Sequence, residues 1–261
     1  MAINSNLSIE VPSRERFKQT IRMLSAGACN PTAFPKGEIT IYPWDISVDD
    51  WVVTKGKFQQ SSMYEILPVL ADLNGCKPDD LYVGDAATIL LVSRSMRHGN
   101  SIQFSPVCPH CKEKNPPESV KIPEQLRKAG EKPIGWNGVD TIKLPESGDE
   151  VVIRPLRVKD EKFIEGRSAE EVKAIPTITA HLVACVVTVG GGKPDSIVEV
   201  VRWFRALSAS DQDYLSRQVD ELHPRLDNEV RFKCEFCQGE FGHKIDLEKS
   251  FFRSGGDQLP A

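Results

Sequence analysis

Two short stretches decide the reading of this 261-residue chain: Cys108-Pro109-His110-Cys111 and Cys234-Glu235-Phe236-Cys237. Two cysteines separated by two residues fold into a tight knuckle that turns both thiolates toward one ion. Two such pairs supply the four ligands of a tetrahedral structural zinc site. Residues 112 to 233, 122 of them, lie between the pairs, where an ordinary zinc ribbon has about 15–20. One ion held by both pairs would close a large loop and pin the two halves of the chain together. The same residues could instead hold two separate ions with help from His110 and His243, form two local disulfides, or be coincidental thiols.

The flanking sequence favours one shared ion. Ile102-Gln103-Phe104 and Val230-Arg231-Phe232 alternate as short strands before the knuckles. Val120-Lys121-Ile122 and Lys244-Ile245-Asp246-Leu247 alternate after them. Strand, knuckle, strand, twice over, builds a ribbon, whereas a thioredoxin-type redox motif sits between a strand and a helix. The expected metal ligands are therefore Cys108, Cys111, Cys234 and Cys237, and the expected cofactor is a structural Zn2+ ion.

Composition narrows the class. The chain is 40% hydrophobic and 27% charged with a net charge of −4, values that suit one large or two modest globular domains. Mild acidity without a basic cluster argues against nucleic acid as the main partner. Apolar runs such as Ile89-Leu90-Leu91-Val92 are far short of a membrane span. Met1 to Glu10 lacks the basic and apolar regions of a secretory signal. Four of the seven cysteines sit in the pairs, while Cys29, Cys76 and Cys185 are scattered. That pattern predicts cytosolic synthesis with metal thiolates, the single cysteines acting as small buried hydrophobes.

Residues 1 to 38, with Pro12, Pro31, Pro35, Gly27 and Gly37, read as an extended N-terminal arm. Ser62 to Leu73 has helical spacing interrupted by Pro68. Asp85 is expected to cap a helix that Gly99 ends. Ser168 and Glu171 form a capping box, Ile178 to Val189 passes from helical spacing into a β-branched strand, and Ile197 to Leu207 is helical. Ser210-Asp211-Gln212-Asp213 is expected to cap the last helix before the second knuckle.

The halves resemble each other. Ile39-Thr40-Ile41-Tyr42-Pro43-Trp44 matches Val151-Val152-Ile153-Arg154-Pro155-Leu156, and each is followed by an acidic pair, Asp49-Asp50 or Asp160-Glu161. Lys77-Pro78-Asp79 recurs as Lys193-Pro194-Asp195. Asp85 and Asp211 each lie 23 residues before the first cysteine of their own knuckle. The expected fold is α+β: internally duplicated helix-plus-β-ribbon halves joined through a shared zinc-ribbon site. The expected divisions are the arm over 1–38, a first half over 39–122 and a second over 123–261.

No nucleophile constellation stands out. His98, His110, His181, His223 and His243 are dispersed, and Gly190-Gly191-Gly192-Lys193 lacks the rest of a phosphate-loop frame. Four cysteines fill a metal shell that a catalytic zinc would leave open. A scaffold, not an enzyme, is expected.

Several motifs recur in an order that resembles a known family. They are Gly84-Asp85, Arg97-His98-Gly99-Asn100, the first knuckle, Thr141-Ile142-Lys143-Leu144-Pro145, Ser210-Asp211-Gln212-Asp213, the second knuckle and Ser250-Phe251-Phe252-Arg253. Over about residues 39 to 253 the chain is similar to the baseplate hub proteins of T-even-type contractile-tailed bacteriophages. The resemblance implies a structural, non-catalytic role in a tail baseplate, hub or hub-proximal, as a zinc-stabilised scaffold for tail assembly. It implies baseplate and tail proteins as partners in a hetero-oligomeric assembly, with neither nucleic acid nor membrane. The protein would be made in the host cytoplasm and carried in the virion. A transient assembly chaperone absent from the finished particle is the alternative. Trp44 and Trp51 are candidate partner contacts.

Overall fold

The alternation in Glu38-Ile39-Thr40-Ile41 produces a strand, and its partner comes from the stretch read as an arm. In a computed structural model, which describes residues 17–45, 48, 60–121, 128–227 and 229–244, β1 (Gln19–Arg22) pairs antiparallel with β2 (Glu38–Ile41). Thr20 faces Thr40, and Ile21 faces Ile39. The connecting turn buries Met23, Leu24 and Phe34. Gly27 permits the turn, because its φ is +76° and an added Cβ would meet the Phe34 carbonyl oxygen at 2.6 Å. The extended arm is therefore corrected over residues 17–38: this segment supplies a strand and core side chains. Its apolar residues are worth more buried than the chain entropy they lose.

The expected helix over 62–73 is split. A 3-10 segment, Gln60–Ile66, leads into a single turn, α1 (Leu67–Leu70). Pro68 sits in the first turn of α1, where its missing N–H costs nothing. Tyr42 N–H then donates to Leu70, and Asp72 N–H to Thr40, which extends the β2 edge. The long helix α2 (Val83–His98) follows and ends at Gly99 with φ +79°. β3 (Ser101–Phe104) and β4 (Glu118–Lys121) pair around the first knuckle.

After the short β5 (Lys128–Ala129), β6 (Asp140–Lys143) and β7 (Glu150–Ile153) form a second strand pair. Helices α3 (Val158–Glu165), α4 (Ala169–Ala174) and α5 (Thr177–Ala184) precede β8 (Val186–Val189), which completes an antiparallel sheet ordered β6-β7-β8. The capping box of α4 forms as expected: Glu171 N–H donates to Ser168 Oγ at 3.3 Å, and Ser168 N–H to Glu171 Oε2 at 2.8 Å. Then come α6 (Ile197–Ala206), α7 (Ala209–Leu222) and β9 (Arg225–Leu226), which pairs with β5. Finally β10 (Glu229–Lys233) and β11 (Glu240–Lys244) pair around the second knuckle. The fold is mixed helix and small antiparallel sheets. No helix among the described residues is long and apolar enough to cross a membrane.

Three apolar clusters hold these elements. The first packs β2, α1 and the buried face of α2 around Trp44, Leu67, Leu70 and Ile89. Trp44 is 2% exposed, so it is core and not a partner contact. The second packs the three-stranded sheet against α5, α6 and α7, with Val151, Ile153, Val183, Val201 and Leu215 inside. The third lies under the knuckles. The halves interlock: Val158 belongs to the first cluster, Val83 packs on the second, and Tyr64 donates to Glu161 Oε2 at 2.8 Å. Val83 N–H donates to Leu156, and Val158 N–H to Leu81, both at 3.0 Å.

Neither aspartate is a helix cap. The residue before α2 is Tyr82, and the cap of α7 is Ser208, whose Oγ accepts from Asp211 N–H at 3.2 Å. Asp85 and Asp211 each stand third in their helix, both 1% exposed. Both reach across to a strand-pair turn. Asp85 Oδ1 accepts from Ser25 N–H at 3.1 Å, just beyond β1. Asp211 accepts from Glu146 and Ser147 N–H, both at 2.9 Å, just beyond β6. The first turn of a helix carries positive partial charge that suits a carboxylate; here Asp211 spends both oxygens on a neighbouring turn and Asp85 one. Trp51, Asp49-Asp50, Ile122, Ile245 to Leu247 and Phe251-Phe252 lie outside the described residues.

Candidate metal centre

Each knuckle folds through the same hydrogen bonds. Cys108 N–H donates to Glu113 at 3.0 Å and Lys112 N–H to Cys108 at 3.0 Å. Cys234 N–H donates to Gly239 and Gln238 N–H to Cys234, both at 2.9 Å. The residue after each second cysteine turns left-handed, Lys112 at φ 65° and Gln238 at φ 61°. A non-glycine residue tolerates that region only where its surroundings require it. Matching strands deliver both knuckles to one place.

There the four sulfurs converge, all within 4.8 Å of one another. Cys108 Sγ lies 3.7 Å from Cys237 Sγ, and Cys111 Sγ lies 3.6 Å from Cys234 Sγ. Four sulfurs about 2.3 Å from a common centre make a tetrahedron with edges of about 3.8 Å. Both contacts run between the knuckles, as one shared centre demands. A disulfide would bring sulfurs to about 2.05 Å, and all seven cysteines are free thiols. The arrangement is compatible with a metal site formed by both pairs together.

Backbone amides point at the sulfurs. The N–H groups of Cys237 and then Phe236 lower Cys234 to about 6, against the opposing effect of burial. Cys111 accepts from Glu113 N–H, which lowers it, but burial and its hydrogen bond to the Cys234 sulfur push it up to about 12. Such a set holds its first negative charge on Cys234 and is primed to lose its protons to a cation.

His110 and His243 stand outside the four-sulfur group. His110 Nε2 lies 3.4 Å from the Glu240 carbonyl, and His243 packs edge-on against Phe232 with ring centroids 6.0 Å apart. One supporting residue escaped sequence reasoning. Asn115, 3% exposed, donates from Nδ2 to the Pro106 carbonyl at 3.2 Å and accepts the Glu235 N–H at Oδ1 at 2.9 Å. It thereby ties the approach to the first knuckle to the opening of the second. No spacing rule marks such a residue. Leu91, Val120, Phe232 and Phe241 cover the cysteines from inside.

A second group of reactive side chains is locked into structure. Cys185 is fully buried, donates to the His181 carbonyl at 3.2 Å and lies 3.6 Å from His223 Nε2. That nitrogen accepts Leu156 N–H at 3.0 Å, and Nδ1 donates to the Val219 carbonyl at 2.6 Å. Burial pushes Cys185 up to about 12 and lowers His223. A sealed thiol beside an imidazole whose nitrogens are both engaged is no nucleophile–base pair. Asp160 beside it holds Arg154 in a two-pronged ion pair at 2.6 and 3.0 Å.

Fold and site together define a mixed α and β protein whose halves meet at a four-cysteine centre. No family model matches the chain, and neither a curated protein nor a solved structure matches it.

Proposed function

We propose that Cys108, Cys111, Cys234 and Cys237 hold one structural zinc ion. The convergence of the four sulfurs at tetrahedral spacing carries this reading. A closed shell of four thiolates leaves no position for substrate, so the ion would supply folding free energy and not Lewis-acid chemistry. Metal analysis of purified protein tests it: one zinc per chain is expected, and iron, or two ions, overturns it.

The proposal includes an internal duplication. Its support is the repeated order of strand pair, aspartate-gripped turn, helix and knuckle. Thr20-Ile21-Arg22 in β1 answers Thr141-Ile142-Lys143 in β6, so the repeat reaches back to Gln19.

For the whole chain we propose a non-enzymatic subunit of a contractile phage tail baseplate, bound to other baseplate and tail proteins in the virion. The ordered motifs shared with the baseplate hub family support it. Mass spectrometry of purified particles is the test: retention supports a resident subunit. Presence on tail intermediates but absence from finished particles selects the chaperone, and absence from both rejects the family reading.

A further inference from the structure

The four sulfurs of the centre differ in access. Cys108 and Cys234 are 0% exposed, Cys111 is partly exposed, and Cys237 is exposed. A single pair of equivalent positions distinguishes the two outer sulfurs. Cys108 N–H donates to the Glu113 carbonyl and Cys234 N–H to the Gly239 carbonyl, so Glu113 and Gly239 hold the same place in their turns. A Cβ built on Gly239 would lie 3.4 Å from Cys237 Sγ. The first knuckle carries a side chain at this place, and the second leaves its outer sulfur uncovered. The backbone does not call for glycine there, since Gly239 stays out of the left-handed region. Across the centre, Cys237 Sγ lies 3.7 Å from Cys108 Sγ on the other ribbon.

We infer that Cys237 is the oxidation site at which a small peroxide attacks this centre, and that Cys108 closes on it to leave a disulfide between the ribbons. The inference rests on the zinc reading of the four cysteines. In the loaded centre every ligand is a thiolate, so access, not acidity, selects the sulfur that reacts. The Cys237 thiolate attacks one peroxide oxygen; the O–O bond breaks, hydroxide leaves, and Cys237 becomes a sulfenic acid. The Cys108 thiolate, the sulfur 3.7 Å away, then attacks the Cys237 sulfur, the S–O bond breaks, and a second hydroxide leaves. Two thiolates thus lose two electrons, and one peroxide becomes two hydroxides that take protons from water. The ion loses two of its four ligands and passes to any chelator present, while the new bond keeps the β3–β4 ribbon fixed to the β10–β11 ribbon. The exposed edge of the centre therefore couples oxidation to metal release without parting the halves.

The test uses the full-length protein, its zinc content measured first, with equimolar hydrogen peroxide and a zinc-binding dye, followed by alkylation and non-reducing peptide mapping. Zinc release should keep pace with a product about 2 Da lighter that joins the Cys108 and Cys237 peptides and reverts with dithiothreitol. Gly239→Ala keeps all four ligands and adds the missing Cβ. The His110 ring, 3.0 Å from that atom, is exposed and free to yield by a few tenths of an ångström. The variant should hold one zinc and release it roughly threefold more slowly under peroxide. A first linkage within a knuckle, a linkage through Cys29, Cys76 or Cys185, or zinc loss with sulfinic acid and no linked peptide would overturn the inference, whatever the variant does. So would a zinc-loaded Gly239→Ala protein oxidised at the wild-type rate. Protein that carries no zinc at the outset rejects the zinc reading and this inference together; a loaded centre that peroxide leaves intact rejects this inference alone.

Discussion

Asp85 and Asp211 occupy the same helical position, yet they should respond to pH with opposite signs. Asp85 is wholly enclosed; one oxygen accepts Ser25 N–H, and Oδ2 has no hydrogen bond. Burial therefore dominates and raises its carboxyl from 3.8 to about 6. Because the folded chain holds this proton more tightly, the contribution to stability is full below about pH 3.8 and is lost as pH rises through about 6. Moving from pH 7 to pH 5 should return about 1 kcal/mol to the wild type from this group alone. Asp85→Asn removes that titration while keeping an oxygen for Ser25. Urea unfolding of both proteins at the two pH values is the assay. The variant should be at least as stable as wild type at pH 7 and lose about 1 kcal/mol relative to it at pH 5. For Asp211, burial raises the carboxyl, but Glu146 and Ser147 N–H together outweigh it and leave the group lowered. Its contribution is present above the ordinary carboxyl range and is lost as pH falls, so Asp211→Asn should be destabilising at pH 7 and less so in acid. A wild-type minus Asp85→Asn difference that does not change with pH would refute the reasoning.

Other expectations concern the metal and the packing of the halves. Cys234→Ser should reduce bound zinc to well under one per chain, read by metal analysis after gel filtration. Asn115→Ala should weaken zinc binding by about 10–100-fold in a chelator competition, as losses of outer-shell partners do; unchanged affinity would show that Asn115 only packs. Gly84→Ala places a methyl group 1.6 Å from the Pro224 carbonyl oxygen, where two backbones must part, and should cost about 3 kcal/mol in urea unfolding. Deleting residues 1–38 removes β1 and the buried Met23, Leu24 and Phe34, so it should unfold the first half; a truncated protein with wild-type circular dichroism would contradict this.

The convergence of the four cysteines was legible because its signal is local. Two residues between two cysteines specify a knuckle whatever lies between the pairs, and alternation on either side specifies the strands that present it. The β1 strand was not legible. Gln19-Thr20-Ile21-Arg22 is too short to show a period, and the prolines and glycines after it look like punctuation of a loose terminus. Its likeness to Thr141-Ile142-Lys143 was the available clue. The aspartates were placed on the correct helices but given the wrong task. A capping role can be read one residue at a time, whereas the grip of Asp85 on Ser25 joins positions 60 residues apart. The same limit hid Asn115, whose partner Glu235 lies 120 residues away.

The separation of the knuckles costs less than its length suggests. In a flexible chain, closing a loop of 122 residues instead of about 17 adds only about 1.7 kcal/mol, small beside the 10–16 kcal/mol of apparent affinity that structural zinc commands in isolated fingers. In this fold even that cost is largely met before any ion arrives. Val83 bonds Leu156, Val158 bonds Leu81, β5 pairs with β9, and Pro224 crosses directly over Gly84. The ends of the loop are brought together by these contacts and by two apolar clusters that contain no ligand cysteine. Only the third and smallest cluster is built from the cysteines themselves. An ion at this centre therefore acts chiefly on the two ribbons and their mutual orientation. Its loss should release β3, β4, β10 and β11 before the helical cores, and the interlocked halves should remain joined.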